Sequence, residues 1–314
     1  MRTWKVTSCA AVCAMAALLT QCERVPTGHV PTTSAAVVQR MRADLVAKHF
    51  AIWDCGSDIQ ILRFNNMITT LEGKNNLPDF HWALGTTESG DAVVLGNTTV
   101  LQGGNFEHHL GEVLVVDKNR NLLRTLQTGC EGVYMLSRNL KRVACDQDGV
   151  LAWNDLGSGK WIPIAQGIPE DTEDNYAWSP RADRLAYDKG GKLYIYDTAS
   201  RRSALLADGT DATWSPDGAW IAYHHGDDIR LISPEGEASR TLIPRALESN
   251  GQRLEWSPDS QYILTVYLSD QPRSWLPTID LSVRVEVVRI SDGAELLVDR
   301  MLRHARYKLL WIKE

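Results

Sequence analysis

Eight histidines, six cysteines and 39 carboxylates are the groups in this 314-residue chain that could bind a metal, move a proton or attack a bond. Two histidine pairs stand out, His108-His109 and His224-His225. Neighbours on a strand point to opposite faces, so neither pair chelates one ion unless its backbone curls. Both read as exposed loop histidines. Asp117-Lys118-Asn119-Arg120-Asn121 opens like a calcium loop but lacks the glycine and the closing bidentate glutamate such a loop needs. It reads as a solvated turn. Gly157-Ser158-Gly159-Lys160 lacks the spacing of a phosphate loop, and neither G-x-S-x-G nor H-E-x-x-H occurs. No catalytic set, metal site or cofactor is expected from these residues. What remains is recognition chemistry: the acidic run Glu170, Asp171, Glu173 and Asp174, and an arginine and a tryptophan, Arg273 and Trp275, of the kind that anchor protein interfaces.

The elements that must hold these groups announce themselves by repetition. Trp-Ser-Pro occurs at Trp178, Trp214 and Trp256, about 40 residues apart, each time followed by a short apolar run. AWSPRADRLAYDKGGKLYIYD, from Ala177, lies over TWSPDGAWIAYHHGDDIRLIS, from Thr213, without a gap. An eroded copy precedes them, in which Leu136, Ser137, Asn139, Val143 and Ala144 hold the matching places. Tryptophan closes a first strand and offers a large apolar body to a neighbouring sheet. Ser-Pro-Asp-Gly then reverses the chain, proline presetting φ while aspartate and glycine accept tight-turn angles. Trp220-Ile221-Ala222-Tyr223 is apolar almost throughout, as a strand covered on both faces should be. A third strand follows that alternates, Leu193 and Ile195 against Tyr194 and Tyr196, then a polar turn and a fourth strand near Ala204-Leu205-Leu206 or Thr241-Leu242-Ile243. Short strands at this period predict an all-β propeller of four-stranded blades.

Composition narrows the compartment and partners. A net charge of −6 without a Lys/Arg stripe excludes nucleic acid as a partner. With 44% hydrophobic residues the chain can bury a large core. Residues 1–22 read as an export signal: Arg2 and Lys5, then an apolar run from Val6 to Leu19 that is too short for a membrane span. Leu19-Thr20-Gln21-Cys22 resembles a bacterial lipobox, departing from it at Gln21. That resemblance implies lipidation of Cys22, a membrane attachment through the lipid, and a periplasmic protein anchored at the outer membrane. Export makes disulfides possible. Cys130, just before a first strand, and Cys145, near the end of the second, fall diagonally across one hairpin and are expected to bond.

Trp178-Ser179-Pro180, Trp214-Ser215-Pro216-Asp217-Gly218 and Trp256-Ser257-Pro258-Asp259, each with its Leu/Ile-rich second strand, resemble the repeat of TolB-type propellers, the periplasmic component of the Tol–Pal system, and of propellers attached to some peptidases. The resemblance covers residues 135–298 and implies a ring of such blades. Outside it, Trp82-Ala83-Leu84, Ala92–Leu95, Gly111–Asp117 and Leu122–Leu126 supply a further blade, and Asp58–Phe64 lies in an opening one. Tyr307, Leu309 and Trp311 form a last strand that joins the opening blade and closes the ring. Six blades are expected, with seven as the alternative. TolB carries a substantial α/β domain before its propeller. Here residues 23–50 hold a Pro/Thr linker and one helix with Val38, Met41 and Leu45 at helical spacing, and residues 51–314 form the propeller.

In such a ring the loops between second and third strands share a face with the connections between blades, opposite the Ser-Pro-Asp-Gly turns. The segments 96–112, 169–176, 224–228 and 268–281 fall on that face. They carry His108, His109, Glu170, Asp171, Glu173, Asp174, His224, His225, Arg273 and Trp275. The leading expectation is an exported, monomeric propeller that binds a protein partner of the cell envelope through this face without catalysis. The alternative is a propeller hydrolase or lyase with its site in the axial pocket. Glycan or peptide binding in the central channel lies between the two.

Overall fold

The computed structural model describes residues 33–54, 59–65, 68–71, 80–100, 106–130, 133–147, 149–168, 176–244, 253–268, 283–298 and 309–314. Cys22 and the linker before residue 33 lie outside them. One helix, α1 (Ala35–Ala47), precedes the strands. The first blade holds β1 (Phe50–Asp54), β2 (Ile59–Arg63) and β3 (Ile68–Leu71). The second holds β4 (Phe80–Thr86), β5 (Ala92–Val100), β6 (Phe106–Asp117) and β7 (Leu122–Gln127). In the third are β8 (Val133–Leu136), β9 (Arg142–Gln147), β10 (Val150–Asp155) and β11 (Ile162–Gln166). The fourth contains β12 (Tyr176–Trp178), β13 (Arg184–Lys189), β14 (Lys192–Asp197) and β15 (Arg202–Asp208). β16 (Thr210–Trp214), β17 (Ile221–His225), β18 (Asp228–Ile232) and β19 (Ser239–Ile243) make the fifth. The sixth has β20 (Arg253–Trp256), β21 (Tyr262–Leu268), β22 (Val283–Arg289) and β23 (Glu295–Val298). The chain's last strand, β24 (Leu309–Lys313), returns to blade one as its innermost member, in the order β24-β1-β2-β3. Six antiparallel four-stranded blades result, a closed β-propeller.

The repeat's serine organises each turn. Ser137, Ser179, Ser215 and Ser257 each accept, on Oγ, the N–H of the residue five ahead at 2.9 Å. Each also donates its own N–H to that residue's carbonyl. The third residue after the serine closes the turn onto the serine carbonyl and takes a left-handed φ. It is Leu140 (57°), Ala182 (59°), Gly218 (75°) or Ser260 (61°). Only blade five fills that place with glycine among these four, so the other three turns carry the cost of a Cβ in the left-handed region.

The tryptophans bind the ring together. Trp178 Nε1 donates to Met135 O in blade three at 3.1 Å, and Trp256 Nε1 to Thr213 O in blade five at 3.2 Å. Trp311 Nε1 donates to Glu255 O in blade six at 3.0 Å. In each case the acceptor sits in the innermost strand of the preceding blade, next before the residue in that blade's tryptophan slot. An innermost strand is paired on one side only, and the neighbour's indole satisfies one of its carbonyls. Blade three has Leu136 in the slot and blade two has Thr86. There Arg138 Nη2 makes the crossing, donating to Thr86 Oγ1 at 3.0 Å.

α1 docks at the junction of blades six and one. Met41 and Leu45 are fully buried with Tyr262, Val287, Phe50 and Trp311, and Val38 packs against that cluster. Lys48 Nζ pins the helix end to the sixth blade's turn, 2.7 Å from Asp259 and 2.7 Å from Asp44, and Tyr262 Oη donates to Asp44 Oδ2 at 2.7 Å. Those two pairings are why Asp44 sits below the ordinary carboxylate value despite its partial burial.

Candidate functional site: the loop face and the axis

β16 runs inward from Thr210 to Trp214 and ends in its Ser-Pro-Asp-Gly turn, so the opposite ends of the blades define the loop face. Among the described residues, the longest strands on that face belong to blade two. β5 and β6 span nine and twelve residues and stay paired out to Val100↔Phe106. The segment expected as a loop from Gly96 to Glu112 is therefore largely a hairpin, and β4 accompanies it to Phe80↔Thr98. His108 lies on this hairpin opposite Thr98, with His109 beside it.

His224 and His225 also lie on a strand, at the end of β17, with only Gly226 and Asp227 turning into β18. Their side chains part as strand neighbours do. His224 is half-buried, while exposed His225 meets Asp208 O through Nδ1 at 2.8 Å. Glu170, Asp171, Glu173, Asp174, Arg273, Trp275 and Tyr307 lie outside the described residues. Among the described residues no group of three or more His, Cys, Asp or Glu side chains is placed to hold a metal ion.

Cys130 and Cys145 are joined by a disulfide with Cα atoms 5.9 Å apart. Cys145 sits opposite Tyr134 in the β8–β9 ladder, so the bridge ties the entry of blade three to its second strand. Both sulfurs are buried. Gly111 lies against this entry: a Cβ there would come within 2.7 Å of Cys130 O.

Below the loop face, at the junction of blades four and five, is a carboxyl that sequence reading missed. Asp188, near the end of β13, is 6% exposed and accepts the N–H of Asp211 at 3.3 Å. Burial pushes it up to about 7; the Asp211 N–H works against the rise and the Asp211 charge adds to it. Asp146 and His224 occupy the same place in the second strands of blades three and five, each nine residues after its turn serine, so the slot is polar in three consecutive blades. Laying the repeats over one another would have exposed that column.

A cavity of 110 Å³ runs along the axis between the innermost strands of blades two to six. Its walls include Trp178, Trp214 and Trp256, with Asp211, Glu255 and Arg138 as charged groups. Arg138 and Glu88 stand where blades four to six carry Pro180, Pro216 and Pro258, and these five residues line the mouth on the turn face. Burial lowers the Arg138 guanidinium from its ordinary value, and Glu255 and Glu88 oppose the fall. Two charged residues in a proline slot were a signal available to sequence reading, and it was not used.

Architecture and repeat chemistry together define a TolB-like six-bladed β-propeller. Its fold is similar to that of TolB from Acinetobacter baumannii, with a TM-score of 0.54 at 16% identity, covering 84% of this chain and 66% of that one. Putative TolB from Agrobacterium tumefaciens gives a TM-score of 0.53 at 14% identity, covering 79% of this chain and 88% of that one. In sequence, a 117-residue stretch is 32% identical to serine-aspartate repeat-containing protein F of Staphylococcus epidermidis, and the match spans only 7% of that protein's length. No protein-family model matches the chain.

Proposed function

We propose that this chain is an exported, non-catalytic docking propeller that holds a protein partner of the cell envelope on its loop face. The carrying observation is the blade-two hairpin, β5–β6, whose ladder outruns those of the other described blades on that face. A paired hairpin offers a partner a strand edge for main-chain hydrogen bonding. The signal-like start and Cys22 support export and lipid attachment, and a buried disulfide suits an oxidising compartment. The reading assigns the acidic run Glu170, Asp171, Glu173 and Asp174, with Arg273 and Trp275, to the same face as charge and anchors for the partner.

Photo-crosslinking in cells tests this reading. A crosslinking residue at Glu107, His109 or His225 should give a discrete adduct, and one at Arg181 or Asp217 on the turn face should not. Adducts from the turn face alone would overturn the assignment. So would loop-face positions that capture nothing while the protein turns over a substrate through the axis.

A further inference from the structure

Where the chain passes from β15 to β16 on the loop face, Asp208 to Asp211 depart from the repeat's pattern. Gly209 has φ 150°, and a Cβ on it would lie 2.5 Å from the Tyr223 ring. Asp211 holds a left-handed φ of 53°. The β16–β17 ladder passes from Thr210↔His224 to Thr213↔Ala222, so Asp211 and Ala212 stand opposite Tyr223 as a β-bulge. A side chain in the left-handed region is strained, and contacts elsewhere must hold the bulge in place.

Those contacts are few and polar. Gly209 N donates to Gly191 O at 2.9 Å, His225 Nδ1 meets Asp208 O at 2.8 Å, and Thr210 Oγ1 donates to Asp211 Oδ2 at 2.8 Å. The bulge itself reaches blade four through the Asp211 N–H, which donates to Asp188 Oδ1 at 3.3 Å. That anchor is a buried carboxyl beside a second carboxyl. Burial, with the Asp211 charge adding to it, keeps Asp188 protonated up to about pH 7 against the pull of the Asp211 N–H. Strand alternation turns His225 of β17 and Asp228 and Arg230 of β18 toward the same junction, while β14 presents Leu193 and Ile195. Asp208 is exposed and paired with Lys192 at 2.9 Å. Loss of the Asp188 proton sets two carboxylates side by side in a buried place, and their repulsion bears on the strained bulge.

We infer that Asp188 is a proton-operated latch: protonated, it holds the Asp211 bulge closed against blade four, and on giving its proton to solvent it lets residues 209–213 move off the junction and open the axial cavity toward the loop face. Asp211, Ala212, Thr213 and Trp214 form part of that cavity's wall. The latch is independent of docking on the loop face, and either can stand without the other.

An open segment returns Asp188 to water and to the ordinary carboxylate value, so closing takes up a proton between about pH 4 and pH 7. Opening should rise through that interval and level off above it. Hydrogen exchange on the full-length protein, corrected for the intrinsic pH dependence of amide exchange, tests this. Protection of residues 209–213 should fall at least tenfold from pH 5 to pH 7.5, while β20 and β21 of blade six change little. Asp188→Asn keeps an acceptor for the Asp211 N–H and cannot ionise, so it should retain the pH 5 protection at pH 7.5. His225→Gln should leave the response in place. The inference fails if protection of 209–213 is equal at the two pH values, or if blade six loosens in parallel. It fails equally if Asp188→Asn responds as the parent does, or if His225→Gln abolishes the response. Should Asp188→Asn not fold, a carboxyl 13C titration of Asp188 in the parent decides: a midpoint at the ordinary carboxylate value overturns the latch.

Discussion

At the scale of single residues, tryptophans in one slot of the repeat are chemically unequal. Trp256→Phe removes an indole that satisfies Thr213 O, and Trp214→Phe removes one that satisfies nothing. Both lose similar apolar area, so the hydrogen bond sets the difference. Leaving a buried carbonyl unsatisfied costs about 1–3 kcal/mol, and Trp256→Phe should be the more destabilising by about 1 kcal/mol or more in denaturant melts. Equal losses would mean the indole bonds contribute nothing net. Asp188 belongs to this scale too. Its carboxyl titrates at about 7 in the fold and near the ordinary value when unfolded, so the native state binds the extra proton between those limits. Its contribution is therefore most favourable at low pH, declines as pH rises from about 4 to 7, and is flat above. Asp188→Asn can still accept the Asp211 N–H, so it should be more stable than the parent at pH 8 and should flatten this part of the pH–stability curve. A variant that is less stable than the parent at pH 8 would show that the charged carboxylate is wanted there.

Among elements, turns and connections differ in how much they need glycine. Gly218 has φ 75° with only ordinary contact to Pro180, so Gly218→Ala carries left-handed strain alone and should cost about 1 kcal/mol. Gly209, between β15 and β16, has φ 150°, and a Cβ there would lie 2.4 Å from His224 O and 2.5 Å from the Tyr223 ring. Backbone must move, and Gly209→Ala should cost several times more, enough to lower the melting point sharply. Comparable losses at both sites would show that the blade junction yields easily. These elements were legible to different degrees for physical reasons. Trp-Ser-Pro marks blades four to six because the turn's hydrogen bonds demand serine and the junction rewards an indole. Blade two was harder to see, since Thr87 replaces the serine, Thr86 the tryptophan, and a register shift between Ala83 and Gly85 breaks the strand's rhythm. The histidine pairs were read as loop residues because polar strand ends resemble loops when no apolar partner fixes their period. Asp188, Asp211, Arg138 and Glu255 escaped notice because each is unremarkable in its own repeat. Only stacking of one blade on the next makes them neighbours.

For the whole ring, closure rests on the last six residues. β24 pairs with β1 from Phe50↔Lys313 to Asp54↔Leu309, and Glu314 N donates to His49 O at 2.9 Å. Trp311 is fully buried, stacked on Phe64 at 5.7 Å and edge-on to Phe50 at 5.9 Å. Arg63 grips the Glu314 carboxylate with two N–H groups, 2.5 Å each. These contacts are unequal in weight. The Arg63–Glu314 pair is partly exposed, so Glu314→Gln should cost about 1 kcal/mol or less. Trp311→Ala removes a buried aromatic side chain and the indole bond to blade six, and should cost about 3–5 kcal/mol. Deleting 309–314 does more than sum these losses, because it exposes the edge of β1 and unseals both junctions of blade one. The remaining blades then form an open arc in which each contacts its neighbours alone, and stability becomes nearest-neighbour in kind. The truncated chain should therefore melt in a broad transition, in place of the single sharp one expected of the closed ring, and should aggregate through its new edge. A sharp melt shifted by no more than the Trp311→Ala loss would show that five complete blades hold the fold and that the returning strand only decorates it.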